Sequence, residues 1–344
     1  MIGAFCLPVT DDVAWVRVDE PTAAGQARRA ATALARQLGF GENRVAEIGI
    51  VVTELATNLD RHADQGTLVV RSVRATAHAA VEVVAIDRGP GIADLASAIE
   101  DGRSTAGTLG VGLGAVHRLA DVVTALSEPG QGTVITARFH ASKESPSELA
   151  ADDAAGLTRP IEGEEICGDA YAVMRADGRM RLMMCDGSGH GPLAAAASRA
   201  AVATFCERPS GEPPEAVVAA IHAALRGSRG GAVAVADLDP AGGRVRFAGL
   251  GNIAACVVAE NRKSGMISVP GIAGYQARTI RAFDHALPAG ATVVLHSDGL
   301  TGKWSAETWP RLFSSTPLVI ASVLLRDAGV HRDDASVLVA RPGP

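Results

Sequence analysis

Apolar runs that end abruptly in acidic residues are the main feature of the second half of the chain. The apolar run at residues 181–185 stops at Asp186 and a glycine cluster, and an alanine-rich stretch at residues 193–205 follows. This pattern predicts a strand, a tight acidic turn and a helix. A turn of this kind presents a carboxylate and bare backbone carbonyls to a hard cation.

Similar acidic points lie at the ends of other apolar runs, at Asp169, Asp298 and the pair Asp333-Asp334. Four carboxylates from four segments predict a metal cluster that carries out hydrolysis. Asp169 and Asp186 would bridge two divalent cations, and Gly187 would add a backbone carbonyl. Asp298 and Asp333 would each hold one metal.

The donor type indicates which metal this cluster would bind. Oxygen ligands alone favour Mn²⁺ or Mg²⁺ over zinc. His190 is the zinc alternative, but no second histidine lies at ligand spacing, so we expect His190 to shape the turn. The residues alone leave open whether Asp333 or Asp334 ligates the metal.

A polar, aperiodic segment divides the chain and predicts a linker at 141–155 between domains at 1–140 and 156–344. The first domain is predicted to contain strands near 13–18, 67–73, 80–87, 122–126 and 132–139, and helices near 23–38, 44–62 and 113–119. The second is predicted to contain strands near 170–175, 180–185, 232–237, 245–249, 253–258, 291–296 and 335–340, and helices near 193–205 and 214–226. Both halves are therefore expected to be α+β sandwiches, with helices packed on a sheet.

Composition excludes several classes of protein. The 344 residues suffice for two domains, and the net charge of −6 argues against a nucleic-acid partner. No apolar run reaches the length of a membrane helix, and the first residues lack the basic region of a signal peptide. The five cysteines are scattered, which is typical of small buried side chains in a reducing compartment. We therefore expect a cytoplasmic protein with no membrane contact.

Three elements in the first half point to a nucleotide pocket. Glu54 and Asn58 lie four residues apart on a predicted helix, so they share a face on which one can activate a hydroxyl and the other can ligate Mg²⁺. Asp87 ends a predicted strand beside flexible backbone, which suits an adenine amine. A glycine-rich run then leads into a helix, whose first N–H groups suit phosphates. The glycines concerned are Gly89 and Gly91 after Asp87, and Gly110, Gly112 and Gly114 in the run.

In this order, the three elements resemble the Bergerat-fold ATPases over residues 22–139, and the RsbT-like serine kinases most of all. Asp87-x-Gly89-x-Gly91 resembles the first glycine box of that family, and Gly110-x-Gly112-x-Gly114 resembles the second. Gly132-Thr133 resembles the late threonine at the adenine pocket. The resemblance implies ATP with Mg²⁺, Glu54 as the catalytic base and Asn58 as the Mg²⁺ ligand. It also implies that the phosphate acceptor is a serine on a STAS-type partner.

The second half, at residues 163–340, resembles the PPM-type serine/threonine phosphatases in their compact SpoIIE/RsbX branch. The series carrying the resemblance is Gly168-Asp169, Asp186-Gly187-Ser188-Gly189-His190-Gly191, Gly251-Asn252, Ser297-Asp298-Gly299 and Asp333-Asp334-Ala335-Ser336. The resemblance implies an αββα sandwich, and it favours Asp333 over Asp334 as the metal ligand.

Together the two halves predict a bacterial signalling enzyme, in which a serine-kinase-like ATP-binding domain is fused to a metal-dependent phosphoserine/phosphothreonine phosphatase. Its partners would be STAS-domain anti-sigma-factor antagonists or stressosome-type proteins in a stress or sigma-factor pathway. Two alternatives stay open. One is a phosphatase whose first domain only senses ATP, and the other is a non-enzymatic partner-switching scaffold.

Overall fold

The computed structural model describes residues 6, 9–20, 22–74, 78–99, 112–141, 153–309 and 311–343. The chain forms two compact units, Pro8–Ala151 and Asp152–Pro344, and Met1–Leu7 belongs with the second. Each unit contains its own sheet and helices, so each is described in turn.

The first unit is a single antiparallel sheet with helices on one face. Its strands are β1 (Val9–Arg17), β2 (Thr67–Arg74), β3 (Ala79–Ile86), β4 (Val122–Glu128) and β5 (Gly132–His140). They lie in the order β1-β2-β3-β5-β4. Its helices are α1 (Ala23–Gln37), α2 (Glu42–His62), α3 (Leu95–Ile99) and α4 (Gly112–Leu119).

Helical periodicity explains how α1 and α2 pack on this sheet. Ala27, Ala31 and Leu34 recur along one face of α1 and are buried, and Ile48 and Leu55 do the same on α2. These side chains meet the inward residues of β2, β3 and β5 in one core.

The second unit contains two five-stranded antiparallel sheets, ordered β13-β10-β9-β8-β7 and β12-β11-β14-β15-β6. The first sheet contains β7 (Asp169–Ala176), β8 (Arg179–Gly187), β9 (Gly231–Asp239), β10 (Arg244–Leu250) and β13 (Ala282–Ala286). The second contains β6 (Ala154–Arg159), β11 (Ala254–Ala259), β12 (Arg262–Met266), β14 (Thr292–His296) and β15 (Ala335–Ala340).

Apolar side chains from both sheets, among them Leu182, Phe247 and Leu338, form the core between them. The outer face of the first sheet is covered by α5 (Pro192–Cys206) and α6 (Pro214–Ala224). The outer face of the second is covered by α7 (Pro317–Ala328). The second unit is therefore an αββα sandwich. With the helix-on-sheet first unit, this confirms the predicted α+β fold class.

Several elements escaped the sequence analysis, namely α3, α7, β6, β12, β13 and two short 3-10 helices at Ala306–Thr308 and Leu312–Ser314. Strand β6 begins at Ala154, within the last two residues of the predicted linker. Among the described residues no helix is both long and apolar enough to cross a membrane.

The interpretation of all five cysteines as unpaired side chains is wrong for two of them. Cys6 and Cys206 form a disulfide across a sequence separation of 200 residues. Cys185 and Cys256 are free and buried, whereas Cys167 is free and half-buried. A disulfide at this separation leaves no spacing signal, so the sequence pattern could not reveal it.

Candidate functional site

Two of the predicted metal ligands face each other in the first sheet of the second unit. Asp169 is the first residue of β7, and in the antiparallel pair it lies directly opposite Asp186 of β8. Asp169 is 5% exposed. Directly opposed residues bring their Cβ atoms to about 5 Å, so buried Asp169 and half-buried Asp186 form one acidic pair.

The other two predicted ligands lie at strand ends of the second sheet. Asp298 follows β14, and Asp333 precedes β15. The backbone N–H of Ser297 donates to the carbonyl oxygen of Ser336 at 3.1 Å, and the N–H of Ser336 donates to Ser297 Oγ at 2.9 Å. These reciprocal bonds hold the two strand ends together, and both acids with them.

Asn252, in the turn before β11, orients one of these acids. Its Nδ2 donates to Asp298 Oδ2 at 2.6 Å. The sequence analysis noted Gly251-Asn252 as part of a motif but assigned the asparagine no role. The structure places Asn252 as the side chain that fixes the Asp298 carboxylate.

The acids of the two sheets act on one another electrostatically. Burial, together with repulsion from Asp169, Asp298 and Asp333, raises the pKa of Asp186. Burial also raises the pKa of Asp169, although hydrogen bonding to Ser297 and Ser336 opposes the rise. For Asp298, burial and the charge of Asp333 raise the pKa. The site therefore concentrates more negative charge than its own residues neutralise.

One atom tests whether this site suits a cation. Asp169 Oδ2 is buried and, among the described residues, has no hydrogen-bond partner. A buried carboxylate oxygen without a partner is costly, and a divalent cation is the group that would satisfy it. The all-oxygen surroundings fit a hard ion such as Mn²⁺ or Mg²⁺.

The described residues contain no group of three acidic, histidine or cysteine side chains that converges on a single point. The four predicted acids are therefore not brought to one point as a ready ligand set in this structure. Asp186 and Asp298 instead lie within hydrogen-bonding reach of each other.

Gly187 shows why the turn after Asp186 is built from glycine. A Cβ atom on Gly187 would overlap the carbonyl oxygen of Ala194 in α5, and it would also lie 2.9 Å from the carbonyl oxygen of Gly168. Only a residue without a side chain lets the turn pack this closely between the helix and β7.

Asp334 differs from its neighbour Asp333 in what it binds. Asp334 is 3% exposed. Its Oδ1 accepts from the N–H of Ile161 and its Oδ2 from the N–H of Gly168, both at 2.7 Å. Burial raises the pKa of Asp334, and these two bonds oppose the rise. Asp334 thereby fixes the backbone just before Asp169. Half-buried Asp333 accepts instead from the N–H of Asp334, at 2.9 Å.

His190 is exposed, and its Nδ1 lies 2.9 Å from Oε1 of Glu164. This contact ties the acidic turn to the loop before β7. His190 thus pairs with a carboxylate outside the predicted ligand set, which agrees with the expectation that it shapes the turn.

In the first unit, Asp87 follows β3 and lies beside the start of β5. Asp87 is 8% exposed. Its Oδ1 accepts from the N–H of Gly89 at 2.7 Å and from the N–H of Thr133 at 3.2 Å. Thr133 Oγ1 lies 2.8 Å from Ser127 Oγ. The structure therefore joins the predicted acid and the predicted threonine into one network and adds Ser127, which the sequence analysis missed.

Gly91 allows the first glycine box to close against β4. Its φ is +72°, and a Cβ atom there would overlap the carbonyl oxygen of Glu128. Both features restrict the position to glycine. Beside it, the N–H of Ile92 donates to Ser127 Oγ at 2.7 Å.

The remaining nucleotide-pocket predictions lie on two helices. Glu54 and Asn58 are half-buried on α2, one turn apart. Gly112 begins α4 and Gly114 is buried within it. Gly110 lies outside the described residues. The described nucleotide-pocket residues therefore all lie in the first unit, either on the helices α2 and α4 or at the ends of the strands.

Comparisons with known proteins agree with this division. Residues 18–139 match the histidine kinase-like ATPase domain, and residues 176–342 match the stage II sporulation protein E (SpoIIE) family. The serine/threonine-protein kinase RsbT of Bacillus subtilis (strain 168) is 39% identical over 111 residues, which are 32% of this chain and 84% of the relative.

Among solved structures, one from work on the bacterial stressosome, a modular system adapted to control secondary messenger signaling, is 29% identical. It aligns with a TM-score of 0.52 over 55% of this chain and 98% of that chain. The chain therefore belongs to the family of the serine/threonine-protein kinase RsbT through its histidine kinase-like ATPase domain, and its second half matches the SpoIIE family.

Proposed function

We propose that the second unit is a metal-dependent phosphatase for phosphoserine and phosphothreonine. The observation that carries the proposal is the pair of directly opposed acids Asp169 and Asp186, in which Asp169 Oδ2 has no hydrogen-bond partner in the described part of the chain. Two divalent cations, Mn²⁺ or Mg²⁺, would supply an activated water and a clamp for the phosphate.

Within this proposal each side chain has a distinct task. Asp169 and Asp186, with the Gly187 carbonyl as a neutral donor, would hold the metal ions. Asp298 and Asp333 would add ligands from the second sheet. Asn252 keeps the Asp298 carboxylate in one orientation. Asp334 acts as a positioning residue, because its carboxylate holds the backbone beside Asp169.

We further propose that the first unit binds ATP with Mg²⁺ and phosphorylates a serine of a partner protein. Asp87 would accept the adenine amine, with Gly89, Gly91 and Thr133 around it. The backbone N–H groups of Gly110, Gly112 and Gly114 would lie beside the phosphates, and Asn58 would ligate Mg²⁺. Glu54 would take the proton from the acceptor hydroxyl. The kinship with RsbT supports a serine as acceptor.

The partners proposed are STAS-domain anti-sigma-factor antagonists or stressosome-type proteins, whose phosphorylation state the two units would set in opposite directions. The relationship to a structure from stressosome work supports this class. The proposed use of ATP would be expected in the cytoplasm, where a disulfide such as Cys6–Cys206 is unusual. Labelling of free thiols in freshly lysed cells would show whether these two cysteines are paired there.

The full chain can test both activities in one design. It is incubated with phosphorylated or unphosphorylated candidate STAS proteins, with Mn²⁺ in one series and Mg-ATP in another, and phosphate on the partner is read by mass spectrometry. Loss of phosphate with Mn²⁺ and gain of phosphate with Mg-ATP are expected. Binding of the partner without either change would favour the scaffold.

Glu54→Ala separates a kinase from an ATP sensor. Removal of a general base lowers the rate of phosphotransfer about 10²–10⁴-fold, whereas Mg-ATP binding and phosphatase turnover should persist. Asp60→Ala, at an exposed acid on the same helix, is the matched control and should transfer phosphate normally. Equal rates for Glu54→Ala and wild type would contradict the kinase assignment and favour the sensor.

A further inference from the structure

An exposed arginine lies beside the acidic turn of the second unit. Arg229 belongs to the segment between α6 and β9, and its Nη1 lies 2.7 Å from the position that a Cβ atom would take on Gly189. Gly189 is three residues beyond Asp186 in the turn. The guanidinium group is therefore at the rim of the candidate metal centre.

The backbone on both sides of Arg229 is fixed. The carbonyl oxygen of Gly230 accepts from the N–H of Ser188 in the acidic turn at 3.0 Å. The carbonyl oxygen of Ser228 accepts from Tyr275 Oη at 2.9 Å, and the Ser228 hydroxyl accepts from the N–H of Gly230 at 3.0 Å. The Tyr275 ring packs against Gly230. Arg229 is thus held next to the turn by its neighbours, while its own side chain stays exposed.

Among the described residues, the Arg229 side chain makes no hydrogen bond or ion pair that would account for its place. Other arginines described in the same unit do pair with acids, namely Arg175, Arg179, Arg181, Arg208, Arg244, Arg246 and Arg326. An unpaired cation beside an excess of carboxylates is suited to a ligand that adds negative charge once metal ions have neutralised those carboxylates.

We propose that Arg229 binds the phosphoryl oxygens of the substrate, a phosphate monoester on serine or threonine, at the metal centre. The inference rests on the phosphatase function proposed above and adds a residue to it. The guanidinium group offers planar, bidentate donors that match phosphate oxygens. In this role Arg229 positions the phosphorus atom, while the acids of the two sheets hold the metal ions.

A purely electrostatic role is the competing explanation. Arg229 would then only reduce repulsion among Asp169, Asp186 and Asp298, and its loss would weaken metal binding and the turn. The two roles differ in which ligand they affect. A phosphoryl-binding arginine controls affinity for phosphate at saturating metal, whereas a screening arginine controls affinity for the metal alone.

The test compares the full-length wild type with Arg229→Ala, Arg229→Lys and Arg226→Ala. Arg226 is an exposed arginine in the same segment and serves as the matched control. Calorimetry measures the binding of inorganic phosphate to each protein at saturating Mn²⁺, and separate titrations measure Mn²⁺ binding. Steady-state kinetics with para-nitrophenyl phosphate supply kcat and KM.

For Arg229→Ala we expect phosphate affinity and kcat/KM to fall about tenfold to a hundredfold, the loss that accompanies a charge-assisted hydrogen bond. Arg229→Lys should retain part of the phosphate affinity and part of kcat/KM, since lysine keeps the positive charge but lacks the two parallel N–H donors of the guanidinium group. Mn²⁺ affinity and the thermal midpoint should not change, and Arg226→Ala should match wild type.

Unchanged phosphate affinity in Arg229→Ala at saturating Mn²⁺ would overturn the inference, and so would a loss confined to Mn²⁺ affinity. Failure of the phosphatase proposal looks different, because the wild type itself would then show no turnover. In that case the calorimetry still decides the inference: weaker phosphate binding by Arg229→Ala upholds it, and equal binding refutes it.

Discussion

Asp169 and Asp186 lie directly opposite each other in the β7–β8 pair, at the end of the hairpin that carries the glycine-rich turn. Like charges in directly opposed positions destabilise a sheet, and burial of both carboxylates adds to the cost. Burial raises both pKa values, and repulsion adds to the rise, from Asp169 in the case of Asp186 and from Asp334 and Asp298 in the case of Asp169. The divalent cation proposed at this pair would offset the repulsion, so removal of one acid should change metal binding as well as turnover.

Asp186→Asn should reduce phosphoester turnover about a hundredfold or more, because an amide has one oxygen and no charge with which to bridge two cations. Asp177→Asn is the control, since it makes the same change at an exposed acid at the other end of the β7–β8 hairpin. Mn²⁺ titration of para-nitrophenyl phosphate hydrolysis is the measurement. Full turnover by Asp186→Asn, or by wild type in excess EDTA, would refute the metal centre.

Asp333 and Asp334 should respond differently to the same substitution. Asp333→Asn should weaken Mn²⁺ binding with little change in the thermal midpoint. Asp334→Asn should lower the free energy of unfolding by about 1–3 kcal/mol. The Asp334 carboxylate accepts hydrogen bonds from two backbone N–H groups, and in the variant one of these N–H groups would face the amide N–H₂, which cannot accept. Thermal unfolding and Mn²⁺ calorimetry on both variants distinguish the roles. A lower midpoint for Asp333→Asn with an unchanged Asp334→Asn would reverse the assignment.

The sequence predicted the strand-end acids because each stands where an apolar run stops, and the structure brings the ends of those runs together. It could not separate Asp333 from Asp334, since two adjacent aspartates have the same chemistry and only the positions of Ile161 and Gly168 distinguish them. Arg229 was missed for a related reason. Arg229 lies just before β9, and it comes near the acidic turn only because β9 pairs with β8. No local sequence pattern encodes that pairing.

The elements that were missed share a physical cause. Helix α7 is apolar on nearly every face, so it lacks the one-sided 3.6-residue pattern that marks a surface helix. Strand β12 has four exposed residues in five, so it lacks the apolar alternation that marks a strand. Both are recognised only once the sheet against which they pack is known.

Asp87→Asn should weaken Mg-ATP binding about tenfold to a hundredfold. The asparagine keeps one oxygen for the N–H groups of Gly89 and Thr133, but it loses the charge that would strengthen a bond to the adenine amine. Calorimetry on the full chain measures the effect. Asp64→Asn, at an exposed acid near the same strand end, should bind as wild type. Equal affinity of Asp87→Asn and wild type would place the adenine elsewhere.

A row of buried charges crosses the sheet of the first unit and should control its stability. Asp12, Arg71, Glu82 and Arg138 occupy neighbouring positions on β1, β2, β3 and β5. Arg71 is 1% exposed. Arg138 Nε donates to Glu82 Oε1 at 2.6 Å, and Arg71 Nε lies 3.4 Å from Glu82 Oε2. The single carboxylate of Glu82 therefore serves two buried guanidinium groups.

Glu82→Gln should destabilise the first unit by about 3–5 kcal/mol, because it removes one of the two described counterions of buried Arg71, leaving Asp12, and also removes the carboxylate that pairs with Arg138. Burial alone would raise the pKa of Glu82, but attraction to Arg138 and Arg71 outweighs it and the pKa is lowered in the folded state. A carboxylate with a lowered folded pKa contributes stability above its unfolded pKa, near 4.3, and loses that contribution as the pH falls through the folded value. The difference in the free energy of unfolding between wild type and Glu82→Gln should thus be largest near neutral pH and should shrink in acid.

Urea unfolding at several pH values measures this difference. Glu42→Gln is the control, because the Arg36–Glu42 pair is exposed. A difference that persists unchanged into acid would show that the carboxylate charge is not what stabilises this row.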